Sequence, residues 1–175
     1  MMELRSSIWA MLMALASWGM TGGTGHAAKD VQTTSGLPVP RYVSLKSDHV
    51  NVRVGPTKDQ DVSWIYTRSG LPVEVTAEFE NWRRVRDSEG SEGWVYHSLL
   101  SGRRTAVVTM KTKGELAALR DGPSEDGTVS ARLQAGVIAQ VKRCTGKWCR
   151  ITGDGFDGWI EQQRLWGVYA DEKVN

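Results

Sequence analysis

Asn81-Trp82-Arg83-Arg84-Val85-Arg86, the turn Asp87-Ser88-Glu89-Gly90-Ser91-Glu92 and then Gly93-Trp94-Val95 form the stretch that decides the fold. Two short strand-like runs flank a glycine-containing loop, the pattern of a β-hairpin. The pattern is written again as Lys147-Trp148-Cys149-Arg150-Ile151-Thr152, Gly153-Asp154-Gly155-Phe156-Asp157 and Gly158-Trp159-Ile160. A Trp-x-x-aliphatic run followed by Gly-Trp-aliphatic therefore occurs twice. A repeat of this kind sets the architecture before any single element does.

Outward from the first hairpin, Leu71, Val73 and Val75 alternate with Pro72, Glu74 and Thr76. A period of two places the aliphatics on one face of a strand and the polar residues on the other. Arg41-Tyr42-Val43-Ser44-Leu45-Lys46 alternates in the same way, and Val50-Asn51-Val52-Arg53-Val54 is stopped by Gly55-Pro56. Gly93 fits a barrel corner, where a side chain would obstruct a crossing strand. His97-Ser98-Leu99-Leu100 reads as one helical turn closing the unit.

The second unit repeats these marks. Leu119-Arg120-Asp121-Gly122-Pro123 matches Val52-Arg53-Val54-Gly55-Pro56, and Gly136 stands for Gly70. Val137, Ala139 and Val141 take the places of Leu71, Val73 and Val75, with Trp148, Ile151 and Trp159 for Trp82, Val85 and Trp94. Ala118 replaces Asn51. Ala106-Val107-Val108-Thr109-Met110 reads as a strand at the seam between the units.

Asn51-Val52-Arg53-x-Gly55-Pro56, Gly70 before a hydrophobic strand, Trp82-x-x-Val85 and Gly93-Trp94-Val95 together resemble a bacterial SH3 domain, and the resemblance covers residues 42–166. It implies a small barrel of five or six strands per copy. Such domains occur in secreted and envelope proteins, beside cell-wall hydrolases and as wall-binding modules. The expected fold is all-β: two tandem SH3-like barrels packed together, since each alone buries a small fraction of its surface. The expected layout is a signal peptide over 1–27, a flexible linker over 28–40, and barrels over 41–102 and 103–170.

The leader assignment rests on Arg5, the apolar run from Ile8 to Ala16, and the small residues Gly25, Ala27 and Ala28. The run is too short to span a bilayer, and the order is that of a secretory signal cleaved after Ala27 or Ala28. A retained anchor helix or a buried N-terminal helix are the alternatives. The implied address is periplasmic or secreted, with no membrane contact in the mature form. The net charge of the 175-residue chain is +2, without the basic stripe that nucleic-acid binding requires.

Cys144 and Cys149 are the only cysteines, and in a secreted chain their spacing reads as a disulfide across a hairpin. A catalytic Cys-His pair is the alternative, because wall peptidases of that type carry such domains, but no residues remain for a catalytic domain. No cofactor, metal site or catalytic set is indicated, and the chain is expected not to be an enzyme. The repeat also places Cys144 on Glu78 and Cys149 on Arg83, so an exposed ion pair is expected in the first barrel where the second has its disulfide.

Trp64 and Tyr66 have no counterparts in the second unit, where Ser130 and Arg132 stand in that region. Two apart on a strand, they share a face. They are read either as a ligand site, in a groove with the 56–61 loop and the 87–92 turn, or as part of the inter-barrel seam. Trp166 and Tyr169, also unrepeated, are candidates for the other side of that seam. The expected function is a non-catalytic binding or scaffold protein, with cell-wall peptide stems as ligand. A protein-interaction module for an envelope partner, or an accessory subunit of a wall enzyme, is the alternative.

Overall fold

Strand pairing in the computed structural model, which describes residues 33–175, is the same in both halves. The first half contributes β1 (Arg41–Leu45), β2 (Val50–Arg53), β3 (Val62–Tyr66), β4 (Pro72–Phe79), β5 (Trp82–Arg86), β6 (Glu92–Tyr96) and β7 (Leu100–Ser101), with a 3-10 turn at His97–Leu99. The second contributes β8 (Thr105–Val108), β9 (Ala117–Arg120), β10 (Val129–Leu133), β11 (Ile138–Thr145), β12 (Trp148–Gly153), β13 (Phe156–Glu161) and β14 (Leu165–Trp166), with a 3-10 turn at Gln162–Arg164. The sheet orders are β3-β2-β6-β5-β4-β1-β7 and β10-β9-β13-β12-β11-β8-β14, one the translation of the other. Both long central strands shift register at the same place, between Val75 and Ala77 and between Val141 and Arg143. An extra strand, β15 (Lys173–Val174), pairs with β11 and carries the second barrel past residue 170. Residues 1–32, with the leader and most of the linker, lie outside the described residues. Among the described residues no helix is long and apolar enough to cross a membrane.

Each barrel encloses its own core. Val73, Val75, Val85 and Val95 lie at the centre of the first; Ala139, Val141, Ile151 and Ile160 hold the matching places in the second. Gly93 and Gly158 are required at the corner. A Cβ at Gly93 would lie 2.4 Å from Val52 Cγ1, and one at Gly158 would lie 2.7 Å from the Arg120 carbonyl oxygen.

The outer face of β4 departs from the alternation. Pro72 and Glu74 are buried rather than solvated, because residues 31–175 form one unit and the second barrel covers that face. Tyr42 is wedged between Trp166, edge-on at 5.3 Å, and Tyr169 at 4.7 Å. The Tyr169 hydroxyl donates to Glu74 Oε1 at 3.0 Å, Thr105 Oγ1 donates to the Gly70 carbonyl at 2.7 Å, and Arg68 donates to the Gly136 carbonyl at 2.8 Å. Gly167, at φ +120°, passes so close that a Cβ would meet Thr105 O at 2.4 Å. Burial and the Glu74 carboxylate push the Tyr42 phenol up to about 12; burial and the hydrogen bond to Glu74 raise that of Tyr169 as well.

The segment 28–40 is tied down over its described part. Ser35 donates through its backbone N–H and its hydroxyl to the Glu78 carboxylate, and Val39 packs on the first core. A Pro-rich approach to β1 is thereby fixed to the barrel rather than left as a free tether.

Candidate ligand-binding grooves

The cross-strand partner of Trp82 on β5 is Tyr96 on β6, and their rings meet edge-on at 5.4 Å. This pair forms one wall of a groove of about 200 Å³ completed by Asn51 and Arg53 of β2, Lys58 and Leu99. Arg53 also donates to the Gln60 carbonyl, which closes the 56–61 loop against the groove. Its wall is almost wholly apolar, made by the two aromatic rings, Leu99 and the aliphatic stems of Arg53 and Lys58, whose charged ends lie off it.

The matching positions of the second barrel behave differently. Trp148 pairs across the strands with Glu161, where the first barrel has Tyr96. Without an aromatic partner the indole is half-buried, whereas Trp82 is buried. The groove beside it widens to about 400 Å³ and takes in Glu125, Lys147, Gln162, Leu165, Val168 and Asp171. Arg164 holds the position of Leu99 and is turned to Glu115 at 2.6 Å and to Glu161 at 3.4 Å.

The rim of this second groove is the stapled hairpin. Cys144 and Cys149 form a disulfide across β11 and β12, enclosing the turn through Gly146, Lys147 and Trp148. Both cysteines are buried in the second core. In the first barrel the same register brings Glu78 opposite Arg83, with Arg83 Nε 3.0 Å from Glu78 Oε1. This pair is not exposed: the Glu78 side chain is 0% and that of Arg83 9% accessible, because Arg41 and Ser35 close over the carboxylate. Burial alone would raise the Glu78 carboxyl, but hydrogen bonds from Ser35 and Arg41 outweigh it and hold the group below the usual range.

Trp64 and Tyr66 touch edge-on at 5.9 Å. Tyr66 is buried in the first core and its hydroxyl donates to Asp87 Oδ2 at 3.0 Å; Asp87 Oδ1 accepts from the N–H groups of Glu89 and Ser91. Burial first, and the Asp87 carboxylate second, push the Tyr66 phenol up. Trp64 is half-buried against the same core. Both pack within the first barrel, where Tyr66 braces the 87–92 turn, while the seam is built from Tyr42, Trp166 and Tyr169. Among the described residues no group of three or more His, Cys, Asp or Glu is placed to hold a metal ion.

The family model for the bacterial SH3 domain matches the chain twice, over residues 46–102 and 113–167. The chain belongs to the bacterial SH3 domain family. No curated protein sequence matches it significantly. Among solved structures it is similar to NlpC2 from Trichomonas vaginalis, with 15% identity and a TM-score of 0.32 over 73% of this chain and 48% of that one. NlpC1 from the same organism gives 16% and 0.32 over 76% and 48%. An NlpC/P60 family protein from Bacillus cereus gives 13% and 0.30 over 71% and 55%. The chain spans about half the length of each, and likeness this distant has no bearing on its activity.

Within this SH3 pair, the repeat assigns Trp82 and Trp148 to the barrel alone, and the structure adds a groove beside each. The readable signal was the change at matching positions, Lys58 to Glu125 and Tyr96 to Glu161. Comparing the repeats for charge, and not only for aromatics, exposes it.

Proposed function

We propose that this chain is a non-catalytic binding protein of the bacterial envelope, and that its first SH3 domain recognises short cell-wall peptides. The observation that supports this is the groove of Asn51, Arg53, Lys58, Trp82, Tyr96 and Leu99. Wall peptide stems are short and polar and carry carboxylates; Lys58 and Arg53 stand beside the groove to meet that charge, and the rings supply contact area. Trp64 and Tyr66 do not line this groove. So small a groove implies modest affinity, since contacts must offset the ordering of the ligand. A leader over 1–27, as the sequence suggests, would deliver the chain to this address.

Co-sedimentation of the purified protein with isolated sacculi tests the proposal. The wild type is expected in the pellet, and Lys58→Glu, an exposed change, is expected to shift much of it to the supernatant with unchanged circular dichroism. Wild-type protein left wholly in the supernatant overturns wall binding. Release of soluble muropeptides above a heat-inactivated control overturns the non-catalytic assignment. A protein partner in place of peptide would show as sedimentation with protease-treated sacculi only when other envelope proteins are added back.

A further inference from the structure

We infer that the groove of the second barrel is a separate site for a free alkylammonium group, presented on a lysine-type side chain of a short peptide. The site does not depend on what the first groove binds. Its wall holds three carboxylates, from Glu125, Glu161 and Asp171, against Lys147, and Arg164 beside it shares Glu161 at 3.4 Å. The equivalent groove of the first barrel holds Arg53 and Lys58 and no acid. At matching positions Lys58 gives way to Glu125 and Tyr96 to Glu161, while Arg120, the counterpart of Arg53, stands outside the lining of this groove.

Three further features match an ammonium rather than a general cation. Trp148 has lost the ring that packs on Trp82, and an indole beside carboxylates is a favourable platform for a cation. Leu165 and Val168 line the groove beneath the charged rim, as a methylene chain requires. Gln162, 5% exposed, belongs to the same wall. Its Nε2 donates to the carbonyls of Tyr169 and Glu172, at 2.7 and 3.0 Å, and its Oε1 is buried with no partner. Buried acceptors are ordinarily satisfied; the groove wall must part for an ammonium, with its three donors, to reach this oxygen as well as the carboxylates.

The rim is built to hold this shape before a ligand arrives. Gly146 lies against Asp171, whose φ of 59° is left-handed, and a Cβ at Gly146 would sit 3.4 Å from the Asp171 carbonyl oxygen. The disulfide fixes the turn from one side, and the pairing of Thr145 with Lys173 fixes the C-terminal segment from the other.

The test is a ¹⁵N-HSQC titration of the whole protein with the peptide acetyl-Ala-Lys-Ala-amide, beside the same peptide acetylated at Nε. Saturable shifts are expected at Gly146–Trp148, the Trp148 indole N–H and Glu161–Gln163. The Nε-acetylated peptide should bind about tenfold more weakly, because it loses the charge for both the ring and the carboxylates. Glu125→Gln with Glu161→Gln should cost the lysine peptide a similar factor, roughly five- to tenfold, and the acetylated one nothing. Equal binding of the two peptides, shifts confined to the first barrel, or no saturable shift with either peptide overturns the inference. Glu125→Gln alone lies on an exposed loop and keeps the test open should the double variant fold poorly.

Discussion

Removing Glu78 should cost the first barrel more than removing the disulfide costs the second. The two crosslinks occupy the same register position, Glu78 opposite Arg83 and Cys144 opposite Cys149. A disulfide closing a sequence separation of 5 contributes about 2 kcal/mol in the chain-entropy model. An exposed ion pair contributes about 0 to 1 kcal/mol, and that is the value the sequence alone suggested. The structure places the pair under cover, so Glu78→Ala strands Arg83 and Arg41 without their carboxylate. Breaking a buried pair costs about 3 to 5 kcal/mol. The low end applies here, since Arg83 keeps its bonds to the Glu80 and Trp82 carbonyls. Urea unfolding gives the total, and hydrogen exchange of peptides from β4–β5 and β11–β12 assigns it to a barrel. The comparison protein is wild type refolded under reducing conditions.

The same carboxylate supplies a second arm to that experiment. Its folded value lies below the ordinary 4.5, so its contribution is present above that pH and is lost as pH falls through the folded value. First-barrel protection in the wild type should decline below pH 4.5, and Glu78→Ala should flatten that decline. A cost of Glu78→Ala below about 1 kcal/mol, the exposed-pair range, together with an unchanged acid profile, would refute the burial argument.

Glu78→Cys with Arg83→Cys should form a disulfide during oxidative refolding, since the register is that of Cys144 and Cys149; thiol counting should find none free. Gly93→Ala should destabilise the first barrel by about 1 to 3 kcal/mol through overpacking against Val52, read by thermal melting, with Gly158→Ala doing the same to the second. Alkaline loosening of the seam should follow from the raised phenols of Tyr42 and Tyr169. Their contribution is complete below the ordinary 10 and is lost as pH rises through the folded values, about 12 for Tyr42, so tyrosinate absorbance and seam exchange should rise together in that window. Tyr42→Thr, which restores the residue of the matching position in the second barrel, should raise exchange in β4 and β8 while leaving the β5–β6 hairpin protected.

Local pattern carried most of the fold and little of the site. The alternation in β4 and β11, the corner glycines and the paired Trp positions each depend on neighbours within one strand or hairpin, so they are readable from spacing. Glu74 was misplaced on the solvent face because the cover over it comes from Tyr169, far along the chain. Trp166 and Tyr169 were legible as seam residues because they break the repeat. The same reasoning left Trp64 and Tyr66 divided between seam and ligand, since an unrepeated aromatic also arises when one barrel braces its own turn, as Tyr66 does through Asp87. The grooves needed the register. Tyr96 and Glu161 matter because they face Trp82 and Trp148 across the hairpin, and that adjacency is not written in the spacing.

The seam explains why two copies of one barrel pack in a single order. Tyr42 pairs with Glu74 in β1 and β4, and in the second barrel the same positions are Thr105 and Gln140. Trp166 of β14 corresponds to Ser101 of β7. The first barrel therefore presents an aromatic on the strand that receives, and the second presents aromatics on the strand and tail that dock. Exchange their roles and Thr105 would face Ser101, with little apolar area to bury and no ring to fill the gap. A head-to-tail contact between like units propagates unless the outer surfaces differ, and repeat arrays stop where a terminal unit turns a polar face outward. Here the receiving face of the second barrel carries Gln140 and Thr105, and β15 lies along its β11 edge. That asymmetry makes the docking of the two barrels specific.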